Sequence, residues 1–93
     1  MTLKEPLRIT RTARFAKSAR ELEPAARKKL QKQLKVLVEN PRHPYLQVKK
    51  IKGTRSIFEA RVNDAFRFTF EFGEEREIIL RAVGPHNSTL NKP

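Results

Sequence analysis

Apolar residues in the first half of the chain recur every three or four positions, the spacing of amphipathic helices. Phe15, Ala19 and Leu22 predict a helix through residues 15–22, with Thr10 or Thr12 as its N-cap. A longer apolar stripe follows over residues 24–40, made of Ala26, Leu30, Leu34, Leu37 and Val38. Proline suits the first turn of this helix, and the Asn-Pro pair at 40–41 ends it. These segments predict a helical hairpin, which a short strand over residues 7–10 precedes.

The spacing changes to alternation in the second half of the chain. Strands are predicted over residues 57–62, 66–72 and 77–83, with turns at 63–65 and 73–75. Phenylalanine occupies every second position from 66 to 72, so one face of the middle strand is apolar and Arg67 points the other way. The order β-α-α-β-β-β predicts an α+β fold, in which an antiparallel sheet packs against the helical hairpin. We expect the other sheet face to be free and rich in arginine, and residues 91–93 to form a frayed tail.

The size and composition of the chain narrow the possible classes of protein. Its 93 residues predict a single domain over positions 1–93. The absence of cysteine excludes disulfides and thiolate metal sites, and two isolated histidines argue against a structural metal. No stretch has the pattern of a signal peptide or a membrane span, so the expected compartment is the cytoplasm.

Net charge is the strongest bulk signal. Lys and Arg total 21 against 10 Asp and Glu, which gives a formal charge of +11. A field of this sign favours polyanions, such as nucleic acid, an acidic membrane surface or an acidic protein. A basic surface that serves only solubility is the alternative.

Three arginines and a histidine are the candidates for chemistry. Alternation places Arg61, Arg67 and Arg81 on neighbouring strands of the open face, where guanidinium groups bind phosphate in a bidentate manner. His86 follows Gly-Pro where the last strand ends, and histidine is the residue type that exchanges protons near neutral pH. The alternatives are a solvated Arg67 paired with a glutamate, and a merely exposed His86.

A basic run precedes the strand at 57–62. Lys49, Lys50 and Lys52 either grip an RNA backbone or protect an edge strand from aggregation. His43 lies between two prolines, and we interpret it as a turn residue.

Three short motifs occur in an order that resembles one known family. Asn-Pro-Arg-His-Pro at 40–44, with Lys-Lys-Ile-Lys-Gly at 49–53, resembles the passage after the second helix of the RelE/ParE toxins of bacterial toxin–antitoxin pairs. Phe-Glu-Ala-Arg-Val at 58–62, followed by Phe-Arg-Phe-Thr-Phe at 66–70, resembles the hairpin of this superfamily. Val-Gly-Pro-His-Asn at 83–87 resembles the ending of its RNase branch, which includes YafQ.

This resemblance implies an mRNA endonuclease that acts in the ribosomal A site without a metal ion or cofactor. By the same resemblance Arg67 holds the scissile phosphate, Arg81 is the arginine of the last strand, and His86 is the general acid. Lys49 lies near the position of a base or charge stabiliser. Asn87 stands where many relatives keep an aspartate. The implied partner is a cognate acidic antitoxin that covers the basic face.

Two other functions are compatible with the same residues. A ParE-like toxin poisons DNA gyrase and needs no nuclease site. A basic binding protein with an inactive RelE-like site is the third possibility. His86 together with the arginines favours the nuclease.

Overall fold

The computed structural model describes residues 7–93, in which helices and strands combine into an α+β fold as predicted. The strands are β1 (Arg8–Arg11), β2 (Lys49–Lys50), β3 (Phe58–Arg61), β4 (Phe66–Phe72) and β5 (Glu77–Pro85). The helices are α1 (Ala13–Arg20), α2 (Pro24–Glu39) and α3 (His86–Asn91), with a 3-10 helix at Pro44–Leu46. Within residues 7–93, no helix is both long and apolar enough to cross a membrane.

The strands form one sheet in the order β1-β5-β4-β3-β2. The β3-β4-β5 meander is antiparallel as predicted, and β2 adds a further antiparallel pair with β3. β1 pairs with β5 in parallel, so the sheet is mixed rather than purely antiparallel. The parallel pair escaped prediction because it joins residues about seventy positions apart through backbone hydrogen bonds, which leave no pattern in either segment.

Local signals explain the helical hairpin. Thr12 is the N-cap of α1, and its Oγ1 accepts a hydrogen bond from the backbone N–H of Phe15 at 3.1 Å. The same hydroxyl donates to the Leu80 carbonyl oxygen at 2.8 Å, which ties the start of α1 to β5. Pro24 begins α2, whose buried positions follow the predicted stripe and also include Gln33.

The core lies between the helical hairpin and one face of the sheet. Phe68 and Phe70 are fully buried there against residues such as Phe15 and Leu37. The prediction that the helices cover the phenylalanine face is therefore confirmed. We call the opposite face, which carries Glu59, Arg61, Arg67, Thr69 and Gly84, the arginine face.

Part of the arginine face is covered, so the expectation of a free face is wrong at its β4–β5 side. Thr89 of α3 is 6% exposed, and its Oγ1 lies against Gly84. The prediction of a frayed tail is also wrong, because the Pro93 carbonyl oxygen accepts hydrogen bonds from Thr69 Oγ1 (3.2 Å) and Arg81 Nε (3.1 Å). Helix α3 could not be predicted, because six residues are too few to show a helical period.

Candidate functional site

Strand register places Arg61 and Arg67 side by side at one end of the arginine face. Arg61 on β3 is directly opposite Arg67 on β4, and Arg67 is opposite Gly84 on β5. Directly opposed residues of an antiparallel pair have Cβ atoms about 5 Å apart on the same face. Two guanidinium groups therefore share this part of the surface, where an anion would offset their repulsion.

Arg67 is anchored by one end of its guanidinium group. Its Nη1 donates to the Asn63 carbonyl oxygen at 2.7 Å and to the Phe66 carbonyl oxygen at 3.0 Å, across the β3–β4 turn. Nε and Nη2 make no hydrogen bond with any residue in the range 7–93. Within the same range Arg67 forms no ion pair with Glu59, Glu71 or any other glutamate. Arg67 is thus held in place while two of its nitrogens can bind a ligand.

Arg61 has a different local partner. Its Nη2 forms an ion pair with Asp64 Oδ1 in the same turn. The Asp64 side chain is 94% exposed, so water screens this pair and it adds little to stability. An incoming phosphate can compete for the Arg61 guanidinium at small cost.

His86 is brought to the same turn by the backbone. It is the first residue of α3, and its N–H donates to the Ala65 carbonyl oxygen at 2.9 Å. Its side chain is exposed, with Nδ1 3.1 Å from Asn87 Oδ1. Arg67 and His86 therefore meet at the β3–β4 turn, although nineteen positions separate them in the sequence.

Arg81 lies apart from this cluster. The β4–β5 register shifts between Thr69 and Phe70, which leaves Arg81 as the extra residue of a bulge. Its Nη1 is 2.5 Å from Glu71 Oε2, and its Nε donates to the Pro93 carbonyl oxygen. Arg81 is three residues from Gly84 along β5, a distance of about 10 Å. The strand register thus sets Arg61 beside Arg67, whereas Arg81 is separated from both and is engaged in structural contacts.

The three candidate lysines lie near one edge of the sheet but not on one face. Lys49 on β2 is opposite Glu59 and points to the arginine face. Lys50 is opposite Phe58 and points to the other face. Lys52 is exposed in the turn after β2, beside Gly53, which has a φ of 83°. Only Lys49 is thus directed towards the arginines.

His43 serves the turn as interpreted from the sequence. Its Nδ1 accepts a hydrogen bond from the Tyr45 N–H at 3.1 Å and caps the 3-10 helix.

Solved structures supply the comparison that sequence matching does not, because no protein-family profile and no curated protein matches this chain significantly. The RelE–RelB complex of the archaeon Pyrococcus horikoshii aligns with a TM-score of 0.73 at 18% identity, covering 89% of this chain and 98% of that one. The chain has the RelE fold. The Escherichia coli RelBE toxin–antitoxin complex aligns with a TM-score of 0.70 at 20% identity over 87% of this chain and 98% of that one. A YoeB/ParE toxin from Agrobacterium tumefaciens aligns at 0.73 and 12% identity over 86% and 99%.

The RelE fold predicted from the motifs is therefore confirmed. Because toxins with RelE, YoeB and ParE names share it, the activity of this protein has to be argued from its side chains.

Glu59 is a further candidate site residue, which was not predicted from the sequence. Its side chain lies on the arginine face between Lys49 and Thr69, and the residue is 6% exposed. No hydrogen bond or ion pair reaches its carboxylate from residues 7–93. Because no side-chain polar atom of residues 7–93 is both fully buried and unpaired, the Glu59 carboxylate reaches the surface of the arginine face and is open to a ligand. Alternation within the strand was the available signal, since it places Glu59 on the same face as Arg61.

Proposed function

We propose that this protein is an endoribonuclease toxin that cleaves mRNA on the ribosome without a metal ion or cofactor. The observation that carries the proposal is the meeting of Arg61, Arg67 and His86 at the β3–β4 turn. RNA cleavage by the neighbouring 2′-hydroxyl is helped by two cations that bind the phosphate and by a donor that protonates the leaving oxygen. The motif resemblance and the RelE fold support the same activity.

In the proposed reaction the 2′-hydroxyl of one nucleotide attacks the adjacent phosphorus. The new O2′–P bond forms while the P–O5′ bond breaks, which leaves a 2′,3′-cyclic phosphate and a 5′-hydroxyl. Arg67, through Nε and Nη2, and Arg61 stabilise the charge that develops on the phosphoryl oxygens. Arg81 acts indirectly, since its contacts with Glu71 and Pro93 hold the strand and tail beside the site.

His86 supplies the proton that O5′ needs. In the protonated ring Nδ1 donates to Asn87 Oδ1, and Nε2–H is left to donate to the leaving oxygen. Asn87 thus provides an acceptor at the position where many relatives keep an aspartate.

Glu59 is our candidate for the group that accepts the 2′-hydroxyl proton. Lys49 lies directly opposite Glu59 on the arginine face, and as a cation beside the site it is placed to stabilise negative charge rather than to abstract a proton. Lys50 and Lys52 would contact RNA further along the backbone.

The proposed partners follow from charge and from the structural neighbours. A chain of +11 attracts the ribosome and mRNA in the cytoplasm, and an acidic antitoxin would silence it by covering the arginine face. The E. coli RelBE neighbour is a toxin–antitoxin complex.

Gyrase poisoning is the second candidate, because one neighbour carries the name YoeB/ParE toxin. Expression of this chain in bacteria separates the two functions. The nuclease yields mRNA fragments with new 5′ ends, whereas a gyrase poison leaves transcripts intact and disturbs DNA supercoiling.

His86→Gln provides the decisive test of the proposed chemistry. We expect single-turnover cleavage on programmed ribosomes to slow by about two to four orders of magnitude, with ribosome binding retained. Arg11→Gln, on the exposed edge strand β1, is the control and should cut at the wild-type rate. Cleavage by His86→Gln at the wild-type rate would remove His86 from the mechanism.

A further inference from the structure

A cavity of about 520 Å³ opens beside Arg61, on the side away from Gly84. Its walls come from α2, from the 3-10 segment and from the β3–β4 turn, and include Lys29, Gln33, Tyr45, Arg61 and Asp64. Cavities of roughly 300–1,000 Å³ hold small ligands, so one nucleotide unit fits.

Gln33 shows that the cavity is built around a polar group. The residue is 3% exposed, and its Nε2 donates to the carbonyl oxygens of Tyr45 (3.1 Å) and Arg61 (2.9 Å). Both acceptors are carbonyls, so the amide orientation is settled by chemistry. Its Oε1 has no partner among residues 7–93, where no fully buried side-chain polar atom is unpaired, so this oxygen reaches the cavity solvent. It offers an acceptor to any ligand that carries an N–H group.

Tyr45 contributes a flat apolar surface to the same cavity. Tyr45 is 70% exposed, although large aromatic residues are usually mostly buried. Its backbone is held by Gln33 and by His43, and the His43 ring lies 4.6 Å from the Tyr45 ring. An exposed aromatic ring in a fixed position is the usual platform for stacking an unpaired base.

The charges of the cavity favour a base over a second phosphate. The Asp64 carboxylate lies on the same wall as Lys29 and Arg61, so it opposes a second phosphate in the cavity while Arg61 binds the scissile one. A nucleobase matches the remaining features, because it has a π face for Tyr45 and N–H donors for Gln33 Oε1.

We propose that this cavity binds the base of the nucleotide next to the scissile phosphate, stacked on Tyr45 and hydrogen-bonded to Gln33. The inference rests on the proposed nuclease function, since Arg61 belongs both to the cavity and to the phosphate site. Base capture here would help to hold the phosphate in line with Arg67 and His86.

The natural sequence provides its own probe, because Tyr45 is the only tyrosine and the chain has no tryptophan. We expect tyrosine fluorescence to be quenched on titration with a short single-stranded RNA in low salt, after correction with free N-acetyltyrosinamide. An abasic ribose-phosphate oligomer should not quench it. RNA binding is followed in parallel by the anisotropy of an end-labelled oligonucleotide.

Variants then test the stacking. Tyr45→Ala should weaken RNA binding by about 5- to 100-fold, whereas Tyr45→Phe keeps the ring and binds like the wild type. Phe72→Ala is the matched control, since Phe72 is exposed on β4 and lines a different cavity.

The outcomes separate this inference from the proposed function. Ribosome-dependent cleavage with no fluorescence quenching, or with unchanged RNA binding by Tyr45→Ala, overturns the base site and leaves the nuclease standing. If the wild-type protein neither cleaves mRNA nor binds RNA, both the nuclease function and the base site are rejected.

Discussion

Glu59 and Arg61 are two positions apart on β3, so their side chains share the arginine face. Lys49 joins them from β2 because its register partner is Glu59. At the scale of single residues, the Glu59 carboxylate thus lies between Lys49 on one side and the pair Arg61 and Arg67 on the other. A 2′-hydroxyl that approaches Arg61 and Arg67 would meet the Glu59 carboxylate first as a proton acceptor.

Substituting Glu59 and Lys49 individually with glutamine, which is uncharged and of similar length, separates their roles. Glu59→Gln removes the acceptor, and we expect single-turnover cleavage to fall by about 100-fold or more, with RNA affinity unchanged or higher. Lys49→Gln removes a positive charge, so it should weaken RNA binding and slow cleavage less. Thermal unfolding checks that both variants are folded. Normal cleavage by Glu59→Gln with none by Lys49→Gln would reassign the base to Lys49.

At the scale of elements, α3 determines where His86 lies. The helix rests on β4 and β5 through Thr89, and Gly84 leaves the room for it. A Cβ atom at position 84 would lie 2.9 Å from Thr89 Oγ1, closer than packed atoms allow. Gly84, two positions before His86, is therefore required for α3 to pack on the arginine face.

Gly84→Ala should lower the free energy of unfolding by about 1–3 kcal/mol, because the added methyl group displaces α3. The same substitution in a Thr89→Ala background should cost clearly less, since the clashing hydroxyl is gone. Urea unfolding of the two single variants and the double variant measures this difference. An equal cost in both backgrounds would show that Gly84 does not act through Thr89.

At the scale of the whole molecule, charge governs encounter with RNA. Binding of single-stranded RNA should weaken steeply with salt, because each phosphate contact contributes about 0.7 to the slope of log K against log salt concentration. Alanine at Lys49, Lys50 and Lys52 together should reduce this slope by about 1–2, since these side chains flank the site.

The control carries the same change in charge on another surface. Alanine at the exposed helix positions Lys28, Lys32 and Lys35 should leave the slope nearly unchanged. If both triple variants change the slope equally, the net charge of the protein attracts the RNA, rather than the lysines at positions 49, 50 and 52.

Local sequence patterns were sufficient to predict the α+β class, the helical hairpin, the three strands of the meander and the face on which Arg67 lies. These features depend on periodicity and on local caps and turns, which are written within one segment of the chain. The exact bounds of β4 were predictable because phenylalanine alternates through its whole length. The motif order also predicted the RelE fold.

Which charged residues lie together depends on contacts between segments that are far apart in the sequence. The parallel β1–β5 pair, the bulge at Arg81, the contact of His86 with the β3–β4 turn and the partner of Lys49 all join distant segments. Alternation placed Arg81 on the correct face, since it shares the Pro93 carbonyl with Thr69. The bulge adds one residue between Arg81 and Gly84 without changing the hydrophobic pattern, so alternation could not show that Arg81 lies apart from Arg67. Backbone hydrogen bonds carry no residue-specific signal, and it is these bonds that bring His86 to Arg67.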